Sequence, residues 1–137
     1  MKDQLHALLI DPFQMKVHEV WIGQHIQDWH KWCDCECFDR AYIGVHLGQR
    51  QDIWVDDMGF MRNPTYPLFV WKQRQDPLAG YGLVLAELGE NSISTLMTPD
   101  YAQHFIKWEF WEVRLKADQY FDQLSRIYLF DINRKNS

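Results

Sequence analysis

The chain has 137 residues, 14 basic and 19 acidic, for a formal charge of -5, a length that supports one domain, 1–137, with its own core. The charges are spread along the chain, with neither a basic stripe to track phosphates nor an acidic block to imitate them, so direct nucleic-acid binding is not expected. No apolar run reaches the roughly 18 to 20 residues of a membrane span and the first residues lack a secretory h-region, so the expected setting is cytoplasmic, with no membrane partner.

Residues 5–10 are a short apolar run stopped by the turn dipeptide Asp11-Pro12. Residues 15–22 alternate, with Met15, Val17, Glu19 and Trp21 on one side and Lys16, His18, Val20 and Ile22 on the other, which predicts an opening hairpin. Between His25 and Trp32 the period changes to three and four, as on a helical face, and predicts a short helix. Residues 38–47 return to strand character, and the turn 48–51 leads into the strand 53–55, a second hairpin. From Gly59 to Pro77 three X-Pro pairs predict loop, interrupted by the extended residues 68–71. Residues 78–88 predict one long strand, followed by a turn at 89–92 and an edge strand over 93–97.

Thr98-Pro99-Asp100 carries the marks of a helix start: a capping hydroxyl, a proline suited to the first turn and an acid at the positive end of the dipole. Neither Gly nor Pro occurs afterwards. Tyr101, Phe105, Trp108 and Trp111 or Glu112 form one stripe, and Val113, Ala117, Tyr120, Leu124 and Ile127 form a second, rotated one. The expected fold is therefore α+β: a mostly antiparallel sheet of about five to seven strands with a short early helix and a long C-terminal helix or helix pair packed on it. Its parts are a sheet-rich 1–97, a helical 98–132 and a frayed tail, 133–137. The second stripe exceeds what one small sheet can cover, which predicts a homo-oligomer through Val113, Ala117, Tyr120, Leu124 and Ile127.

Seven Trp, eight Phe and six Tyr are more aromatic surface than a small core needs, and the excess points to an interface or a pocket. Trp54, Arg62, Tyr66, Phe69, Trp71, Arg74 and Tyr81 form the candidate ligand- or partner-binding set, since rings interleaved with guanidinium groups suit a phosphate-bearing small molecule or a protein hot spot. Cys33, Cys35 and Cys37, with His30 and His25 nearby, have spacings too tight for an ordinary zinc site, so they read as free thiols in a reducing compartment, with no metal or other cofactor expected. Asp56-Asp57-Met58-Gly59 could hold a cation or serve as acid and base, but turn chemistry explains it as well. Gly80-Tyr81-Gly82 lacks the third glycine and the following helix of a phosphate loop, and reads as a bulge or a close approach of chains. No nucleophile elbow or helical zinc pair occurs, so no catalytic residues are assigned.

The Asp-Asp-Met-Gly turn after the strand 53–55, and Asp-Pro-Leu-Ala-Gly-Tyr-Gly-Leu-Val-Leu-Ala-Glu at 76–87, resemble a family of small proteins of bacteriophages and mobile elements, a domain of unknown function. Leu9-Ile10-Asp11-Pro12-Phe13 and Phe38-Asp39-Arg40 fit the same pattern, and the likeness covers most of residues 5–88. The family carries no activity. Its habitat implies a protein acting inside a bacterial host, expected to be a non-enzymatic binder that blocks or sequesters a host factor, most specifically an inhibitor of a host antiviral defence protein. The partner is then a host protein; the alternatives are sequestration of a nucleotide-like signal near the loop 62–74, or a small metal-assisted enzyme using Asp56, Asp57 and a histidine.

Overall fold

The computed structural model describes residues 4–58, 67–74 and 76–109. In chain order these form β1 (Gln4–Asp11), β2 (Lys16–Gly23), a 3-10 turn (Ile26–Trp29) running into α1 (His30–Cys33), β3 (Phe38–His46), β4 (Gln49–Asp56), β5 (Leu68–Trp71), β6 (Pro77–Ala79), β7 (Gly82–Leu88), β8 (Asn91–Ile93), α2 (Pro99–Gln103) and β9 (Ile106–Glu109). Among the described residues the strands make two sheets, and every pairing is antiparallel. The larger has the order β2-β1-β7-β4-β3 with β8 also on β7, and the smaller has the order β6-β5-β9.

The central strands are apolar on both sides because the smaller sheet covers one face of the larger sheet and the 3-10 turn with α1 covers one end of the other. Side-chain alternation sends Leu8, Ile10, Ile53, Val55 and Val84 to an inner face, where they meet Phe69, Trp71, Leu78 and Ile106 of the smaller sheet. Ala7, Leu83 and Leu85 point to the outer face and are covered by Trp29, Cys33 and Cys35 of the 3-10 turn and α1. Trp29 fixes that cover by donating its indole N–H to the Gly23 carbonyl at 2.7 Å.

The α+β expectation is overturned: the described chain is mostly antiparallel β-sheet with only short helices. The helix start at residue 98 is in place, since the Thr98 hydroxyl accepts the Tyr101 N–H at 3.3 Å and Pro99 opens α2, but the helix closes at Gln103. Tertiary pairing then outweighs helical propensity. Phe105 stacks on Trp71 with centroids 5.3 Å apart, Ile106 fills the inner core, and residues 106–109 pair with β5. Tyr101, Phe105 and Trp108 therefore do not share a helical stripe. Residues 110–137, with the second stripe Val113, Ala117, Tyr120, Leu124 and Ile127 and the expected tail, lie outside the described residues.

The single long strand expected at 78–88 is also corrected. Gly80, at φ +77°, breaks it into β6 and β7, which belong to different sheets; a side chain is strained there and glycine is not. Gly82 serves a different need. A Cβ at that position would lie 2.8 Å from Cγ2 of Ile53 and 2.9 Å from Cζ of Phe69, so the bare backbone lets the two sheets close. The last strand of the larger sheet is Asn91–Ile93 rather than 93–97, and Ser94 and Thr95 then bond to His6 at the end of β1.

Candidate functional site

Among the described residues the outer face is covered at one end only. Over the other end of β3, β4 and β7 lie Arg40, Tyr42 and Val45, Arg50 and Asp52, and Glu87. Pairing aligns them: Tyr42 faces Asp52, Val45 faces Arg50, and Arg50 faces Glu87. A bulge between Tyr42 and Gly44 lets Tyr42 and Val45 both point outward while Ile43 enters the inner core. Gly44 accepts the φ of +110° that this bulge requires.

The two arginines are held by stacking and charge together. The Arg40 guanidinium lies 5.4 Å from the Trp54 ring centroid, and that of Arg50 lies 4.4 Å from the Tyr42 ring. Glu87 joins them, accepting from Nη1 of Arg40 at 3.1 Å and lying 3.0 Å from Nε of Arg50. Beneath this layer sits Asp52, 2% exposed, with Oδ1 3.7 Å from Nε of Arg50 and no hydrogen bond to that oxygen. Burial pushes its carboxyl above the ordinary value; Arg50 and Arg40 pull it back, and Glu87 adds to the rise. The result is a surface layer with two fixed cations, one fixed anion and two aromatic faces.

Of the residues expected from sequence, Trp54 and Arg74 border this surface. Trp54 carries Arg40 and packs edge-on against Trp29 and Phe38. Arg74 reaches the β3 edge, donating from Nη1 to the Tyr42 carbonyl at 3.3 Å, beside a cleft of about 260 Å³ lined by Tyr42, Gly44 and Gln73. Phe69 and Trp71 are core residues, 0% and 2% exposed, and present no ring to a ligand. Tyr81 stands at the opposite end of β7, against Phe13. Arg62 and Tyr66 lie outside the described residues. The expected constellation is thus not gathered in one place. Arg40, Tyr42, Arg50, Asp52 and Glu87 were missed, although the two-residue steps 40, 42 and 50, 52, 54 placed rings and charges on one strand face.

The cysteine segment makes a sharp turn after α1. Asp34, in the left-handed region at φ 51°, turns the chain so that Cys33 and Cys35 both enter the outer core while Cys37 is exposed. The Cys33 thiol is pushed up by contact with Cys35, by burial, and by the negative charge of Asp56, which keeps it protonated and unreactive. The His30 Nδ1 lies 2.7 Å from the Cys35 carbonyl. Asp56 behaves as a turn residue, with Oδ1 accepting the Met58 N–H at 3.0 Å.

Comparison with protein-family models, with curated proteins and with solved structures finds no match for this chain. Among the described residues no helix is long and apolar enough to cross a membrane.

Proposed function

We propose that the chain is a non-enzymatic binding protein of phage or prophage origin that acts by occupancy, blocking a host protein, in its most specific form an antiviral defence factor. The origin rests on the family resemblance of residues 5–88. Action by occupancy rests on one observation: Arg40 on Trp54 and Arg50 on Tyr42, both clamped by Glu87, form a pre-organised patch. Arg, Trp and Tyr dominate protein hot spots, and side chains already fixed in the free protein lose little freedom on docking. Among the described residues, the clefts are also small for a nucleotide. The clefts at Arg74, at Tyr81 and at His104 measure about 260, 230 and 350 Å³, at or below the small end of the roughly 300–1,000 Å³ of ligand pockets.

The test is phage plating on bacterial strains that each carry one defined defence system, with and without the chain expressed. Restored plating on at least one strain is expected, and the double variant Arg40→Ala/Arg50→Ala should lose it while remaining folded. Restoration on none of them overturns the defence reading. Incubation with nucleotide second messengers separates the alternatives: intact nucleotide released only on denaturation would make the chain a sequestering protein, and altered nucleotide would make it an enzyme.

A further inference from the structure

Three arginines converge on the middle of β3, the strand that ends the larger sheet among the described residues. The Arg50 guanidinium lies 4.4 Å from the Tyr42 ring, and Arg40 stands two residues before Tyr42 on the same face. Around the strand edge, Arg74 donates from Nη1 to the Tyr42 carbonyl on the wall of the cleft of about 260 Å³. We propose that the partner of the arginine patch docks through an acidic peptide segment, which lays carboxylates on Arg40 and Arg50 and crosses β3 to Arg74. This names the partner chemistry of the patch and rests on the reading of that patch as a docking surface.

The charge that this surface presents outward is positive, because its acids are turned inward and already engaged. The Glu87 side chain is only 13% exposed and gives one oxygen to Arg40 and the other to Arg50, while Asp52 lies buried beneath. The two arginines stay about half exposed. Glu87 meets Nη1 of Arg40 and Nε of Arg50, so among the described residues the terminal nitrogens of Arg50 have no acceptor. Nη2 of Arg74 has only the exposed Asp76 carboxylate at 3.8 Å, too far for a hydrogen bond. Guanidinium N–H groups held in place and left without acceptors suit a carboxylate, which they can grip through paired, charge-assisted bonds. A lysine or arginine of the partner would meet repulsion. Val45, exposed and facing Arg50, adds apolar surface for the stem of an acidic side chain. A nucleic acid fits less well. Asp39 and Asp76 flank the three arginines and repel a backbone that carries a phosphate at every step, whereas a peptide can vary its charge from residue to residue.

The test is a titration of the full ¹⁵N-labelled chain, followed by two-dimensional NMR, with blocked tetraglutamate, tetraglutamine, tetralysine and a thymidine oligonucleotide of the same charge as tetraglutamate. Tetraglutamate should give saturable shifts at the Arg50 Nε–H and at the Tyr42 and Val45 amides, and its binding should weaken as salt is raised. Tetraglutamine and the oligonucleotide should bind about tenfold more weakly or worse, and tetralysine should cause no shift. Arg50→Gln should weaken tetraglutamate about tenfold and Arg74→Gln about threefold, with the rest of the spectrum unchanged. Lys31→Gln, which removes a cation from α1 rather than from this surface, should change nothing. The proposal is overturned if tetraglutamate gives no saturable shift, if the oligonucleotide binds as well, or if Arg50→Gln leaves binding unchanged. Its failure is distinguishable from failure of the occupancy reading. Plating that depends on Arg40 and Arg50 while tetraglutamate stays silent would keep the docking surface and discard the acidic partner. Tetraglutamate binding with no plating restored would keep the acidic preference and discard the defence role.

Discussion

Gln51 and Asp52 are adjacent in β4, almost equally buried, and on opposite faces of the larger sheet. On the inner face Gln51 is fully engaged. Its Oε1 accepts the Thr95 hydroxyl at 2.6 Å, its Nε2 donates to Gln49 Oε1 at 3.3 Å and lies 3.4 Å from the Gln49 carbonyl, and Gln49 Oε1 in turn accepts the Leu96 N–H at 3.1 Å. On the outer face Asp52 has an oxygen with no hydrogen bond and a carboxyl pushed upward by burial. Satisfied polar groups under a closed layer are what a fold needs to lock its register. A buried charge under an open layer of arginines costs stability and is expected where a surface serves binding instead. The inner face is thus structural, and the part of the outer face that no described residue covers is the functional candidate.

The strongest way to break this division is at Phe69, a residue with the composition of a binding site and the position of a core. Phe69→Ala should lower stability by about 3–5 kcal/mol, read as the shift in a urea unfolding curve, because the ring seals the inner layer over Gly82. A variant of unchanged stability with lost binding would return Phe69 to the interface. Next in size, Gln51→Ala should cost about 1–3 kcal/mol by stranding the Thr95 hydroxyl and the Gln49 side chain. Thr95→Val should cost a similar amount, and the double variant should cost less than the sum, since the two share one bond.

The arginine patch should respond in the opposite way. Its two guanidinium groups are about half exposed, so the pairs with Glu87 contribute about 1 kcal/mol or less each to folding. Arg40→Ala/Arg50→Ala should therefore leave the urea midpoint nearly unchanged while weakening partner binding by about 2 kcal/mol or more. Equal losses in both measurements would make the patch structural and remove the distinction between the faces.

How far the sequence revealed this arrangement differs by element. The opening hairpin, the 38–56 hairpin and the cap at Thr98 were legible because alternation and turn chemistry are local signals, and the structure pairs Leu5 with Ile22 and Ala41 with Ile53. The stretch 78–88 misled because its apolar run is continuous across Gly80; only the second sheet makes that glycine a crossing point. The stretch 98–109 misled because a sound helix start says nothing about where the helix stops, and the stop is set by Trp71 and β5, more than thirty residues upstream. The site was half legible. Trp54 and Arg74 fall beside the candidate patch, but Arg40 and Glu87, 47 positions apart, meet only after β7 inserts between β1 and β4. Phe69 and Trp71 had suitable residue types, and nothing local distinguishes a buried ring from a stacking one.

The smallest expected effect is also the most specific to Asp52. Its folded-state carboxyl is raised, so the folded chain holds that proton more tightly than the unfolded chain, where the ordinary value is 3.8. The stability linked to this group is fully present below 3.8 and is lost as pH rises through the higher folded value. At neutral pH the ionised Asp52 is therefore a net cost. Asp52→Asn, nearly the same size and uncharged, should raise the thermal midpoint at neutral pH, and its advantage should close as the pH falls below 3.8. Arg40 and Arg50 should stay on Glu87 in the variant, leaving partner binding intact, since their shared anchor is the Glu87 carboxylate rather than that of Asp52. A variant less stable than wild type at neutral pH would mean that attraction to the arginines outweighs burial. Asp52 would then be the foundation of the patch, and the open face would be as structural as the closed one.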